Sequence, residues 1–158
     1  MKQFLADLGK AVRPAILVGG GARGAADQIV EFACRHDIPC FRTWNALDVI
    51  TDDSEVYCGT IGTYGGAGRN FGIQNCDLLL SLGCRMSGRI TGGMPETFAR
   101  GAKKYLVDIE PTQQEVRGIN IKADCAEFMS KAESVPVTFT GWLIQCSDWL
   151  TLYDPVKP

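Results

Sequence analysis

The residues with the clearest chemical potential in this sequence are glycines and arginines gathered in three blocks. The first is Ala15-Ile16-Leu17-Val18-Gly19-Gly20-Gly21-Ala22-Arg23-Gly24, in which Gly19, Gly21 and Gly24 stand at the spacing G-x-G-x-x-G. Glycines so placed allow a tight turn and let a phosphate approach the backbone. A helix start behind them offers N–H groups and positive dipole charge. The same spacing also arises where a strand merely turns sharply under a helix. The second block is Gly59-Thr60-Ile61-Gly62-Thr63-Tyr64-Gly65-Gly66-Ala67-Gly68. In the third, Gly83-Cys84-Arg85, Gly88-Arg89 and Thr91-Gly92-Gly93 follow the apolar run Leu78-Leu79-Leu80-Ser81-Leu82. Two arginines among glycines behind a strand suit phosphate oxygens; a solvated surface pair is the alternative.

The elements that must position these blocks alternate between strand and helix. Phe4, Leu5, Leu8 and Val12 predict an amphipathic helix over residues 1–12, stopped by Arg13-Pro14. Ala15–Val18 reads as a buried parallel strand. Ala26, Ile29, Val30 and Ala33 then predict a helix from Gly24 to His36, and Cys40–Trp44 a second strand. Strand, helix and strand within about thirty residues form a βαβ unit. Residues 48–57 read as a polar connection, and the second glycine block as a loop leading into a helix that ends about Asn75. Further strands are predicted at Asp77–Leu82, Lys103–Ile109 and Ile119–Ile121. Thr97–Ala102 and Thr112–Val116 read as short helical pieces. Asp124 is expected to cap a helix over Cys125–Ala132, with Glu127 completing a capping box. Trp142, Leu143, Cys146, Trp149 and Leu150 predict a last helix, whose tryptophans must pack back on the domain or dock elsewhere.

A nicotinamide site of the usual kind needs an acid near the end of the second strand, where it holds the ribose hydroxyls. Thr43, Trp44 and Asn45 stand there, with Asp37 too early and Asp48 too late, so that cofactor is not expected.

Composition narrows the rest. The chain has 158 residues, 46% hydrophobic and 22% charged, and a net charge of −2. That suits one domain with a real core, and no basic field points to nucleic acid or an anionic membrane. No apolar run is long enough to span a bilayer and no signal-peptide core follows Met1, so a cytoplasmic location is expected. The seven cysteines form no C-x-x-C pair and His36 is the sole histidine. Buried thiols in a reducing compartment are expected rather than a metal site. His36, at a helix end, is expected to complement the dipole.

The blocks taken together resemble the central domain of thiamine-diphosphate-dependent enzymes of the acetolactate synthase type. The resemblance runs over roughly residues 1–130. It rests on Arg13-Pro14 before Val18-Gly19-Gly20-Gly21, Ile38-Pro39 before Thr43, Gly62-x-x-Gly65 and Asn75-Cys76-Asp77-Leu78-Leu79-Leu80. Leu82-Gly83-Cys84-Arg85, Arg89-Ile90-Thr91-Gly92 and Val107-Asp108-Ile109-Glu110-Pro111 complete it.

The resemblance implies a Rossmann-like three-layer α/β sandwich, about six mostly parallel strands with helices on both faces (the DHS-like NAD/FAD-binding fold). Residues 1–133 would be the central domain, and residues 134–158 a linker and terminal helix toward a diphosphate-binding domain. The parent enzyme, by resemblance, decarboxylates or ligates 2-oxo acids through thiamine diphosphate and Mg2+. Both would be held by flanking pyrimidine- and diphosphate-binding domains, in a homodimer or homotetramer. This chain would then carry no catalytic or metal-ligating residue and would be inactive alone. FAD or ADP is the ligand implied for the central domain of some members, and others hold none and act as structural spacers. The implied cofactor-binding residues are Arg13, Gly19, Gly20, Gly21, Thr43, Trp44, Gly62, Thr63, Tyr64, Gly65, Gly83, Arg85, Arg89, Ile90, Asp108, Ile109 and Asp124. FAD-holding members usually carry Met-His where this chain has Thr63-Tyr64, and two aspartates between the arginines where it has Ser87 and Gly88.

Overall fold

The computed structural model describes residues 1–63, 65–111 and 115–153. Its six strands are β1 (Pro14–Val18), β2 (Cys40–Arg42), β3 (Tyr57–Thr60), β4 (Leu78–Leu82), β5 (Lys103–Asp108) and β6 (Ile119–Lys122). They form one sheet in the order β3-β2-β1-β4-β5-β6, with every neighbouring pair parallel. The chain starts mid-sheet, builds to one edge, then returns beside β1 and builds to the other. That reversal between β1 and β4 opens a crevice where strands end. β1 and β4 are buried throughout, which is why both are almost wholly apolar.

The helices are α1 (Lys2–Leu8), α2 (Ala26–His36), α3 (Ala67–Asn75), α4 (Gly88–Thr91), α5 (Cys125–Met129) and α6 (Thr140–Leu152). α2 packs with α1 through Phe32 and Phe4 and also meets α5, while α3 packs on α6, so the sheet is the middle of three layers. Along α2, Ile29, Phe32 and Ala33 are buried, and Ala26 and Val30 only half-buried. The helix stops where Asp37 turns left-handed (φ 53°) and the Ile38 N–H returns to the Ala33 carbonyl at 3.0 Å.

Several elements differ from the sequence reading. Residues 20–25 are a 3-10 turn, so the helix expected from Gly24 begins at Ala26. α1 ends at Leu8 rather than near Val12, and α5 at Met129. β3, read as connection and loop, is a strand. It has only four residues, contains Gly59 and shifts register against β2, so it carries little strand signal. The expected helix over Thr112–Val116 falls mostly outside the described residues.

The tail folds back on the domain. The Trp142 indole N–H donates to the Pro14 carbonyl (2.9 Å), and Trp149 meets both Trp142 and Phe71 edge-on. Upstream, buried His36 donates from Nδ1 to the Val137 carbonyl (2.9 Å) and its own carbonyl accepts from Phe139 N–H (2.9 Å). His36 thus clasps the segment before α6. Among the described residues no helix is long and apolar enough to cross a membrane.

Candidate functional site

The crevice is built from the turns after β1, β2 and β4. The turns after β1 and β4 lock together first. Gly19 N–H continues the ladder to the Leu82 carbonyl (2.9 Å), and Gly21 N–H donates to the Gly83 carbonyl (3.0 Å). A Cβ on Gly19 would lie 2.2 Å from the Gly83 oxygen. Gly83 has φ +56°, and a Cβ there would lie 2.4 Å from the Gly21 carbonyl carbon. Backbone packs on backbone, so these positions require glycine. The Gly19, Gly21 and Ala22 N–H groups are all engaged inside the fold, Ala22 with the Gly19 carbonyl at 3.0 Å. The glycine block is therefore a structural seam and does not offer those groups to a phosphate.

Beside the seam lies a cleft of about 310 Å3, lined by Gly19, Thr43, Trp44, Asn45, Gly83, Cys84, Arg85, Met86, Ser87, Arg89, Ile90 and Glu115. Thr43 is buried. Its N–H donates to the Val18 carbonyl (2.9 Å) and its hydroxyl to Asn45 Oδ1 (2.5 Å), which fixes the wall after β2. Arg85 follows β4 and Arg89 lies in α4. Both are exposed, and neither has an ion-pair partner among the described residues. Arg89 is placed by the turn after β3. Thr63 N–H and hydroxyl both donate to the Arg89 carbonyl (2.8 and 3.0 Å), and Gly62, at φ +112°, fits close against that oxygen.

A second cleft of about 270 Å3 adjoins the first and shares Trp44, Arg89 and Ile90 with it; Thr60, Ile61 and Thr63 complete its lining. Trp44 is 62% exposed and presents an uncovered aromatic side chain beside the strand ends. The arrangement can neutralise an anion with two arginines and cover a flat apolar group beside it.

Of the residues expected from the resemblance, Gly19, Thr43, Trp44, Thr63, Gly83, Arg85, Arg89 and Ile90 line these two clefts. Gly20 and Gly21 stand behind, in the seam and turn. Gly62 holds Arg89, and Gly65 N–H returns to the Gly62 carbonyl (2.9 Å). Tyr64 lies outside the described residues. Asp108 ends β5 and exposed Ile109 follows it, and neither lines either cleft; Asp108 Oδ1 accepts from Glu110 N–H (2.9 Å). Asp124 caps α5, accepting from Ala126 and Glu127 N–H groups (2.8 and 3.2 Å) as expected, while Glu127 turns to Lys131 (2.9 Å) instead of completing a capping box. Arg13 does not join the group. It precedes β1 at the opposite end of the sheet, and its Nε donates to the Asn75 carbonyl (2.7 Å).

Asn45, Cys84, Met86, Ser87 and Glu115 also line the first cleft without being among the expected site residues, and the fork of Arg23 was not expected either. Arg23 sits within the glycine block itself, and nothing in its local sequence shows that it reaches Asn45 and Asp48.

The cysteines are buried except Cys34. Burial pushes the Cys76, Cys84 and Cys125 thiols up to about 12, so they stay protonated and unreactive at neutral pH. Among the described residues no three His, Cys, Asp or Glu side chains converge to hold a metal.

Comparison with known proteins places this geometry. The family described as thiamine pyrophosphate enzyme, central domain, matches residues 1–132. The acetolactate synthase large subunit of Porphyra purpurea is 37% identical over 159 residues, covering 92% of this chain and 27% of that protein. A probable acetolactate synthase large subunit of Methanocaldococcus jannaschii is 34% identical over 114 residues, 71% of this chain and 19% of that protein. The isozyme 2 large subunit of Escherichia coli is 35% identical over 108 residues, 67% of this chain and 20% of that protein. The chain thus spans about a fifth to a quarter of the length of these relatives. With its parallel six-stranded sheet and the glycine and arginine blocks at the strand ends, the chain belongs to the thiamine pyrophosphate enzyme central-domain family, of the acetolactate synthase-like type.

Proposed function

We propose that this chain is the nucleotide-binding part of a thiamine-diphosphate-dependent enzyme acting on 2-oxo acids, and that the paired clefts receive ADP or FAD. The observation that carries the reading is the pair Arg85 and Arg89. Both are exposed, both lack acidic partners among the described residues, and both line one cleft at the topological switch point. Arginine is suited to that task because its planar fork matches phosphate oxygens in pairs. In this reading Arg85 and Arg89 hold the diphosphate, and Trp44, Ile61 and Ile90 cover a ring system next to it. The residues present fit a diphosphate through side chains, since the Gly19 and Gly21 N–H groups are engaged elsewhere. Thiamine diphosphate and Mg2+ would belong to other domains of a cytoplasmic homo-oligomer and supply the carbon–carbon bond chemistry there.

Purified chain titrated with ADP and with FAD tests the reading by calorimetry and thermal shift. Each charge-assisted contact contributes about 1.5–3 kcal/mol, so Arg85→Ala with Arg89→Ala should weaken binding at least about a hundredfold. The ligand-free melting temperature should stay near that of the unaltered chain. No binding of either nucleotide by the unaltered chain sinks the reading. A second reading, a ligand-free spacer that orients neighbouring domains, is favoured by the closed glycine seam and by the engagement of Asp124 as a cap. It predicts that the double change alters neither nucleotide occupancy nor the activity of the parent enzyme.

A further inference from the structure

Arg23 reaches across two loops without itself lining either cleft. Its Nε donates to Asp48 Oδ2 (2.6 Å), its Nη2 to the Asn45 carbonyl (2.8 Å) and its Nη1 to the Gly20 carbonyl (3.3 Å). One guanidinium therefore ties the turn after β1 to the loop after β2. The loop it grips is the cleft wall: Asn45 lines the cleft and accepts from the Thr43 hydroxyl. Turn and wall already touch, because a Cβ on Gly20 would lie 3.0 Å from the Asn45 oxygen and 3.2 Å from Arg23 Nη1. Arg23, Asn45 and Thr43 are thus joined in one run of hydrogen bonds. The hydrogen bond from Arg23 holds the Asp48 carboxyl below its usual range, so the acceptor stays charged at neutral pH. Both side chains are more than half exposed, 56% and 59%, so the pair contributes little to global stability and its effect is local.

We propose that Arg23 is a positioning residue for this cleft: anchored on Asp48, it holds the Thr43–Asn45 wall against the turn after β1 and so sets the affinity for a diphosphate. The proposal rests on the nucleotide reading above. A fork is needed, because three separate guanidinium nitrogens each reach a different acceptor, which the single nitrogen of a lysine does not reproduce.

The test uses the full chain with ADP as probe, titrated at several salt concentrations, and hydrogen exchange of the ligand-free proteins. Arg23→Ala and Arg23→Lys should each weaken ADP binding about fivefold to tenfold, with Asp48→Asn weaker in effect. The salt dependence of binding should match the unaltered chain, whereas Arg85→Ala should flatten it, because Arg85 faces the anion and Arg23 does not. Amides of residues 43–46 should exchange faster in Arg23→Ala without ligand. Unchanged affinity in Arg23→Ala overturns the proposal, as does full retention in Arg23→Lys. A salt dependence flattened as in Arg85→Ala would make Arg23 a direct contact instead. If the unaltered chain binds no nucleotide, the functional reading fails and the affinity claim falls with it. Unchanged exchange at residues 43–46 overturns the wall contact by itself.

Discussion

Arg13, where the strands begin, and Arg85 and Arg89, where they finish, are treated in opposite ways. Where the strands begin, charges are answered within the fold. Asp77 accepts from the Val12 and Arg13 N–H groups (2.8 and 2.9 Å), and Arg13 Nε donates to Asn75. Asp7 on α1 receives Lys103 Nζ (2.6 Å) and the Tyr105 hydroxyl at the start of β5. Where the strands finish, Arg85 and Arg89 stand exposed beside an open cleft, next to a seam so tight that only glycine fits. Arg13 and Arg85 carry the same charge and stood in the same expected set. An arginine whose donor meets a carbonyl of its own fold is a strut, and one left open at a switch point is available to a ligand.

The largest test of this contrast is Gly19→Ala. The added methyl would meet the Gly83–Cys84 backbone, where no side chain can move aside, so the loss should be about 4 kcal/mol or more. Urea unfolding followed by circular dichroism measures it; near-native stability would show that the seam is soft. A smaller effect is expected at the other end for Asp7→Asn. The Lys103 and Tyr105 hydrogen bonds hold the Asp7 carboxyl below the usual range. A depressed native value means stability present above the unfolded carboxylate value, near pH 4, and lost as pH falls through the native one. Asp7→Asn should therefore cost about 1 kcal/mol at pH 7, and the difference should shrink as pH drops below about 4. Unfolding curves at pH 7, 5 and 3 decide this, and a difference independent of pH would contradict it. The smallest effect is expected for Arg13→Ala, which should leave ADP affinity within about twofold of the unaltered chain, against the loss expected at Arg85 and Arg89. A large loss at Arg13 would erase the distinction between the two ends.

Much of this was legible in the sequence because period and punctuation agreed. β1, β4 and β5 announced themselves as apolar runs, α2 by its buried stripe, and α5 by Asp124 at its cap. β3 was hidden because an edge strand four residues long with a glycine inside has no periodicity to display. The arginines after β4 were legible as chemistry, since their place behind a strand put them at the crevice. Arg13 was misplaced by its motif, which records an order along the chain and not an end of the sheet. The glycine block showed that a tight turn was needed, but not that a second glycine, Gly83, would close on it from another turn. Contacts between turns distant in sequence leave no local pattern, and the Arg23 fork was invisible for the same reason.

The seam between Gly19, Gly21 and Gly83 also orders events during synthesis. β1 emerges before β4 and can pair with β2 as soon as α2 has folded over. Its other edge must wait for β4, which follows β3 and α3. Through that interval a wholly apolar strand presents an unpaired edge, the condition under which chains stick to one another. The crevice does not exist until the β4 turn closes on the β1 turn. A bound nucleotide could therefore hold the finished domain together, yet could give no help to the chain while it is still being made.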